Sequence, residues 1–252
     1  AAGGHMEVLA ALEVAGADMT EEGSEGKPPV QYLFERSLCQ LRHDPAISAV
    51  VARSVSSSGL SPSIPDCRPR IVHLIPQGAS HPGAGSAYID DAVPVSVLDQ
   101  LDKLFGTLPV APRHKMGGLN DRSYVCDGDG WIRSHLMRAV KACTGAPLAG
   151  EAMAQMRFLC YNEAGGGLPP HVDLSRTDLN GRVTTHTFIL YLTNNCIGGE
   201  TVLLQRLTEG RALATVEPRR GRLLVFPHAC PHLARLVVAE GLPKLLLRGE
   251  ML

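Results

Sequence analysis

"GGGLPPHVDLSR", residues 165–176, runs three glycines and two prolines into a histidine, one spacer and an aspartate. In an extended backbone residues i and i+2 point to the same side, so His171 and Asp173 can present an imidazole nitrogen and a carboxylate oxygen to one point in space. That is two ligands of a metal ion. A third must come from far along the chain, because a face of two histidines and one carboxylate is assembled from separate strands and leaves the other coordination positions open. Two histidines offer themselves in "FPHACPHLARLVV", residues 226–238, namely His228 and His232. The chain has ten histidines, and a lone HxD triplet is an ordinary surface feature, just as a Gly-rich stretch is an ordinary turn. The flanking sequence decides between the two readings.

From Met153 to the C-terminus, short apolar and β-branched runs recur between Gly, Pro and Asn, the pattern of a mostly β region. In "TTHTFILYLT", residues 184–193, one face carries Thr185, Thr187, Ile189, Tyr191 and Thr193. The other carries Thr184, His186, Phe188, Leu190 and Leu192, so the more polar face should point into a barrel mouth. Upstream, Val97, Leu98, Leu101, Leu104 and Phe105 make one helical stripe, ended by Gly106 and Pro109. A second helix is predicted at Trp131–Cys143, with Ile132, Leu136, Met137 and Val140 facing inward. Helical spacing of Leu33, Phe34, Leu38 and Leu41 predicts a third between Val30 and about Val55, and "RIVHLIP", residues 70–76, reads as a short strand. The fold class expected is mainly β with flanking α, a jelly-roll or cupin-like core with N-terminal helices packed on it. Residues 1–29 read as a flexible tail, 30–85 as an N-terminal extension with no assigned role, and 86–252 as the domain that carries the chemistry.

Twenty-four basic and 25 acidic residues leave a formal charge of -1 without a long run of either sign. No nucleic-acid stripe or anionic-membrane patch follows from that balance, and no nucleic-acid or membrane partner is expected. Seven scattered cysteines without a CxxC pair indicate neither a disulfide framework nor a structural zinc site. With no secretory signal pattern and no apolar run of about 18 residues, the expectation is a cytoplasmic protein, the nucleus being also open.

Five blocks in order resemble the iron(II) and 2-oxoglutarate-dependent dioxygenases, in their prolyl-hydroxylase-like branch. They are "AYIDDAVPVSVLDQL" (87–101), "RFLCYNEAGGGLPPHVD" (157–173), "FILYLTNNCIGGETVLL" (188–204), "VEPRRGRLLVFPHACPH" (216–232) and "LPKLLLRGEML" (242–252). The resemblance implies a double-stranded β-helix, in agreement with the strand pattern. It also implies Fe(II), 2-oxoglutarate as cosubstrate and O2, with ascorbate as a candidate reductant. His171, Asp173 and His232 then look like the iron ligands, His232 being preferred to His228 because it precedes the apolar pair, Gly-containing turn and basic residue of the last long strand. Lys244 stands where the family carries the cation for the distal carboxylate of 2-oxoglutarate, and Arg248 is the reserve. The two lie an even number of residues apart, so periodicity does not separate them. Tyr191 matches a hydroxyl donor to that carboxylate, and Tyr161 a residue lining the same pocket.

The activity so implied is hydroxylation of a C–H bond, of a prolyl or other residue in a protein or peptide, with release of succinate and CO2. Alternatives are a free amino acid or small metabolite as substrate, another metal-dependent cupin reaction, or a catalytically silent jelly-roll binding module. Specificity is expected in residues 174–183 and 113–129, whose mixed charge gives no preference of sign. Arg157 shares a strand face with Leu159 and Tyr161 but reads as an exposed rim residue, and Arg219, Arg220 and Arg222 as a solvated turn.

Overall fold

The computed structural model describes residues 68–111, 119–143, 150–178, 181–194, 197–208 and 210–252. The tail, the helix predicted in 30–55 and most of the extension lie outside them. The described elements are β1 (Arg70–His73), β2 (Ala87–Asp90), α1 (Val95–Thr107), β3 (Asp121–Cys126), α2 (Trp131–Ala142), β4 (Ala152–Tyr161), β5 (Leu168–His171), β6 (His186–Tyr191), β7 (Thr201–Leu204), β8 (Ala212–Val216), β9 (Leu223–Pro227), β10 (His232–Ala234) and β11 (Lys244–Met251). Their pairing is antiparallel throughout. A seven-stranded sheet has the order β1-β2-β9-β6-β11-β4-β3, and a four-stranded sheet the order β5-β10-β7-β8. β1 belongs to the large sheet, so that sheet begins ahead of residue 86.

Two apolar clusters define the layers. Phe188, Leu190 and Leu192 on β6 and its extension join Phe158, Leu245, Leu247, Leu223 and Val225, and on this side lie Leu98 and Leu101 of α1 and Ile132, Leu136 and Val140 of α2. Ile189, Tyr191, Leu159, Tyr161, Leu224, Phe226 and Leu246 form the second cluster on the opposite face, where Leu203 and Val216 of the small sheet meet them. Alternation along β6 thus divides helix-facing from barrel-facing residues as its sequence pattern requires. Trp131 is partly buried against the helix-side cluster. The start of α2 is held by Asp127, whose carboxylate accepts the backbone N–H groups of Ile132 and Arg133 at 3.1 and 2.8 Å, satisfying two first-turn donors that have no partner within the helix. Among the described residues no helix is long and apolar enough to cross a membrane.

The arginines of the 219–222 turn are tied into the fold, contrary to their reading as solvated. Asp90, 1% exposed at the end of β2, receives Arg222 Nε at 2.7 Å and Arg219 Nη1 at 3.5 Å, while Arg220 reaches Asp99 and Asp102 of α1 at 2.9 and 2.7 Å. A buried carboxylate needs such partners, and β2 supplies the carboxylate that the turn before β9 surrounds. Burial alone would raise the Asp90 pKa, but Arg222, Arg219 and Arg70 together outweigh it and hold the group below its usual value. The sign follows: Asp90 contributes stability above the ordinary carboxylate range, and that contribution is lost as pH falls through the depressed folded-state value. Arg222→Gln is expected to destabilise the protein by about 1–3 kcal/mol at neutral pH. It should also flatten the acid limb of the stability curve, which denaturant melts across pH 3–7 will show.

Candidate active site

Pairing in the small sheet sets His171 of β5 directly opposite His232 of β10. Their rings lie 4.2 Å apart between centroids. Asp173, two residues past His171, sends its carboxylate between them: Oδ1 lies 3.8 Å from His171 Nε2, and Oδ2 lies 3.7 Å from His232 Nε2. One ligand atom from each of the three falls within 4.8 Å of the others. His228 is not in this group.

Both imidazoles are aimed by their far nitrogens. His171 Nδ1 lies 2.8 Å from the Pro169 carbonyl, and His232 Nδ1 lies 2.9 Å from the Cys230 carbonyl. Since a carbonyl only accepts, each Nδ1 carries the proton and each Nε2 lone pair is directed at the cluster, the arrangement that orients metal-ligating histidines. Burial pushes the His232 imidazole below its ordinary pKa, outweighing the opposing pull of Asp173. A neutral ring is the form that can bind a metal. Two deprotonated-nitrogen donors and one carboxylate on a face, with neither cysteine nor a fourth protein donor in the group, suit a divalent transition ion with open coordination positions. The donor set fits iron(II).

The glycines that open the site have a steric reason. A Cβ on Gly167 would stand 2.8 Å from the Ala234 carbonyl oxygen of β10, a contact real side chains do not make. Small residues there let the segment before β5 close against β10.

Lys244 and Arg248 lie on the same face of β11 but occupy different places. Lys244, 1% exposed, is directly opposite Tyr161 in the β4–β11 pair, with Nζ 4.8 Å from the Tyr161 ring centroid and donating to the Gly199 carbonyl at 2.5 Å. Tyr191, fully buried, donates its hydroxyl to Thr201 Oγ1 at 2.7 Å. Together these make a cationic, hydroxyl-bearing floor inside the barrel. A Cβ on Gly199, at φ +72°, would sit 2.9 Å from Lys244 Cδ, so a glycine keeps the lysine's place open. Arg248 instead reaches the metal-side cluster, its Nη2 lying 2.5 Å from Asp173 Oδ1.

Two residues outside the three donors hold the carboxylate, in roles that the sequence reading did not assign to them. Thr187 donates to Asp173 Oδ2 at 2.6 Å, and His228 Nδ1 lies 3.0 Å from the same hydroxyl. The threonine has one proton, so His228 donates from Nδ1 and accepts at Nε2 from Thr184 Oγ1, 2.9 Å away. Thr184 in turn accepts the Arg176 backbone N–H at 2.8 Å. The His228 carbonyl also accepts the Asp173 N–H at 3.0 Å. His228 therefore orients the carboxylate from behind. Thr187 was legible as an inward position on the polar face of β6, but its partner was not. Arg157 is a correction: its side chain is 15% exposed and ion-paired to the buried Glu250 at 3.4 Å, because its strand face is the barrel interior.

Residues 156–249 match the model of the 2OG-Fe(II) oxygenase superfamily. No curated protein matches the chain by sequence. Among solved structures, a Pseudomonas putida prolyl-4-hydroxylase shares 18% identity, covering 68% of this chain and 92% of its own, with a TM-score of 0.51. An oxidoreductase of the 2OG-Fe(II) oxygenase family from Burkholderia pseudomallei aligns at 16% identity over 66% of this chain and 84% of its own, TM-score 0.49. A Trichoplax adhaerens prolyl hydroxylase, solved with a hypoxia inducible factor peptide, aligns at 16% identity over 84% and 92%, TM-score 0.45. At these identities the first comparison speaks to the fold, which is the jelly roll expected from the strand pattern. The matched stretch, residues 156–249, contains all three clustered donors and both candidate cations, so the similarity to the 2OG-Fe(II) oxygenase superfamily falls on the part of the chain that builds the site.

Proposed function

We propose that this chain hydroxylates a C–H bond, consuming 2-oxoglutarate and O2 and releasing succinate and CO2, with a prolyl or other residue of a protein or peptide, or a small molecule, as substrate. The observation that carries the reading is the coexistence, inside one barrel, of an open His171–Asp173–His232 face and a separate buried cation among tyrosines. A metal face alone serves many reactions. A metal face with a buried lysine on the floor beside it suits a cosubstrate that carries a metal-binding 2-oxo acid at one end and a second carboxylate at the other.

In this reading His171, Asp173 and His232 hold iron(II), which when bound supplies the oxygen chemistry. The protein's part is binding, orientation and exclusion of water. Thr187 and His228 fix the carboxylate, and the Pro169 and Cys230 carbonyls fix the two imidazoles. Lys244 takes the distal carboxylate of 2-oxoglutarate, the Tyr191 hydroxyl supports it, and Tyr161 walls the pocket. A charge-assisted pair in that buried setting is worth more than one at the surface. Ascorbate serves, in this reading, as an external reductant only.

The direct test is succinate release from 2-oxoglutarate by the iron-loaded protein under air, first alone and then with a pool of cell peptides and metabolites. Release that rises with the pool and disappears in His171→Ala is the expected result. Absence of succinate from protein shown to hold iron would refute the reading. The division of labour on β11 has its own check: Lys244→Met should raise the 2-oxoglutarate concentration for half-maximal turnover roughly tenfold or more, the loss of one charged hydrogen bond, with a smaller effect from Arg248→Met. Equal or reversed effects would move the cosubstrate cation to Arg248.

A further inference from the structure

Beside the metal face lies a concentration of positive charge of which only Arg248 touches a metal-face donor, Asp173. Arg157, Arg176 and Arg248 converge on a single oxygen, Glu250 Oε1, at 3.4, 3.6 and 3.6 Å. Glu250 is 3% exposed. Arg248 also contacts Asp173, so among the described residues three guanidinium groups share two carboxylates, one of which belongs to the metal face. One carboxylate balances one cation. Moreover, Arg157 and Arg248 stand directly opposite each other in the β4–β11 pair, where side chains are about 4.5–5.5 Å apart at Cβ and like charges destabilise the sheet. Simple packing does not call for such an arrangement, and any of the three as leucine or methionine would relieve it.

The cluster opens onto a small cavity of about 50 Å³, continuous with solvent, bounded by Tyr124, Gln155, Met156, Arg157, Arg176 and Glu250. Arg248 joins this cavity to the metal face, touching Glu250 on one side and Asp173 on the other. A group seated between Arg157 and Arg176 is therefore one guanidinium away from the Asp173 carboxylate. Planar forks with several donors match oxyanions, and at a partly desolvated site they discriminate by charge.

We propose that the substrate bears a carboxylate or phosphate group, held in this cavity by Arg157 and Arg176, while Arg248 bridges that subsite to the metal face. This rests on the oxygenase reading for what is done to the substrate, but the subsite itself can be tested without turnover. The full chain, loaded with zinc in place of iron and saturated with 2-oxoglutarate so that Lys244 is occupied, is titrated calorimetrically with two matched probe pairs: benzoate against benzamide, and phenyl phosphate against phenol. The anionic member of at least one pair should bind roughly tenfold or more tightly than its neutral partner, and whichever anion binds better identifies the group as carboxylate or phosphate. Arg157→Gln and Arg176→Gln should each remove that preference. Arg176, the more exposed of the two, keeps the test readable if Arg157→Gln does not fold. Equal binding of charged and neutral probes, binding of neither, or an anion preference that survives both substitutions would overturn the proposal and leave the cluster an internal ion-pair network. If the anions bind through the arginines while iron-loaded protein releases no succinate, the subsite stands and the oxygenase reading falls. Succinate release without anion preference has the converse meaning.

Discussion

Across the β5–β10 pair, His171 faces His232, and this one register fixes where everything else in the site must be. Directly opposed residues of an antiparallel pair hold their Cβ atoms about 4.5–5.5 Å apart, a spacing from which two imidazoles reach one ion. A slip by one residue would send one ring to the other side of the small sheet. The Cys230 and Pro169 carbonyls then orient the rings, and the short step from His171 to Asp173 brings the carboxylate to the same point. Close approach of Gly167 to β10 permits the pairing. The three donors are thus consequences of strand geometry more than of side-chain flexibility.

The large sheet supplies the electrostatics. Lys244 and Arg248 share a face of β11, but four residues of strand separate them by roughly 13 Å at 3.3 Å per residue, too far to serve the same anion. One therefore lies deep among Tyr161, Tyr191 and Gly199, and the other lies at the metal face with Glu250 and Arg157. Cations at both levels of one barrel are costly to bury without anions to meet them.

Much of this was readable in the sequence because it depends on local periodicity, two on strands and about 3.6 on helices. The HxD face, the inward and outward residues of β6, the apolar stripes of both helices and the shared face of Lys244 and Arg248 all follow from local spacing. What was not readable depends on which strands become neighbours. Arg157 looked like a rim residue because nothing local says that β4 lies between β3 and β11 in the sheet. Arg219, Arg220 and Arg222 looked solvated because Asp90, Asp99 and Asp102, over a hundred positions away, are brought to them only by the β2–β9 pairing and by α1 packing on the sheet. Likewise the link from His228 through Thr187 to Asp173 joins three separate segments. For the third donor, local spacing alone leaves His228 and His232 both open, and both are buried; the resemblance favoured His232, and the β5–β10 register is what sets it opposite His171.

The most direct test is the metal stoichiometry of the purified chain, measured by anaerobic equilibrium dialysis against iron(II). One ion per chain is expected, lost in His171→Ala, Asp173→Ala and His232→Ala. It should be kept in His228→Ala, with affinity weakened by roughly 10–100-fold as a positioning partner is removed. Retention of iron by His232→Ala together with its loss in His228→Ala would contradict the assignment of the third donor and, with it, the architecture of the site.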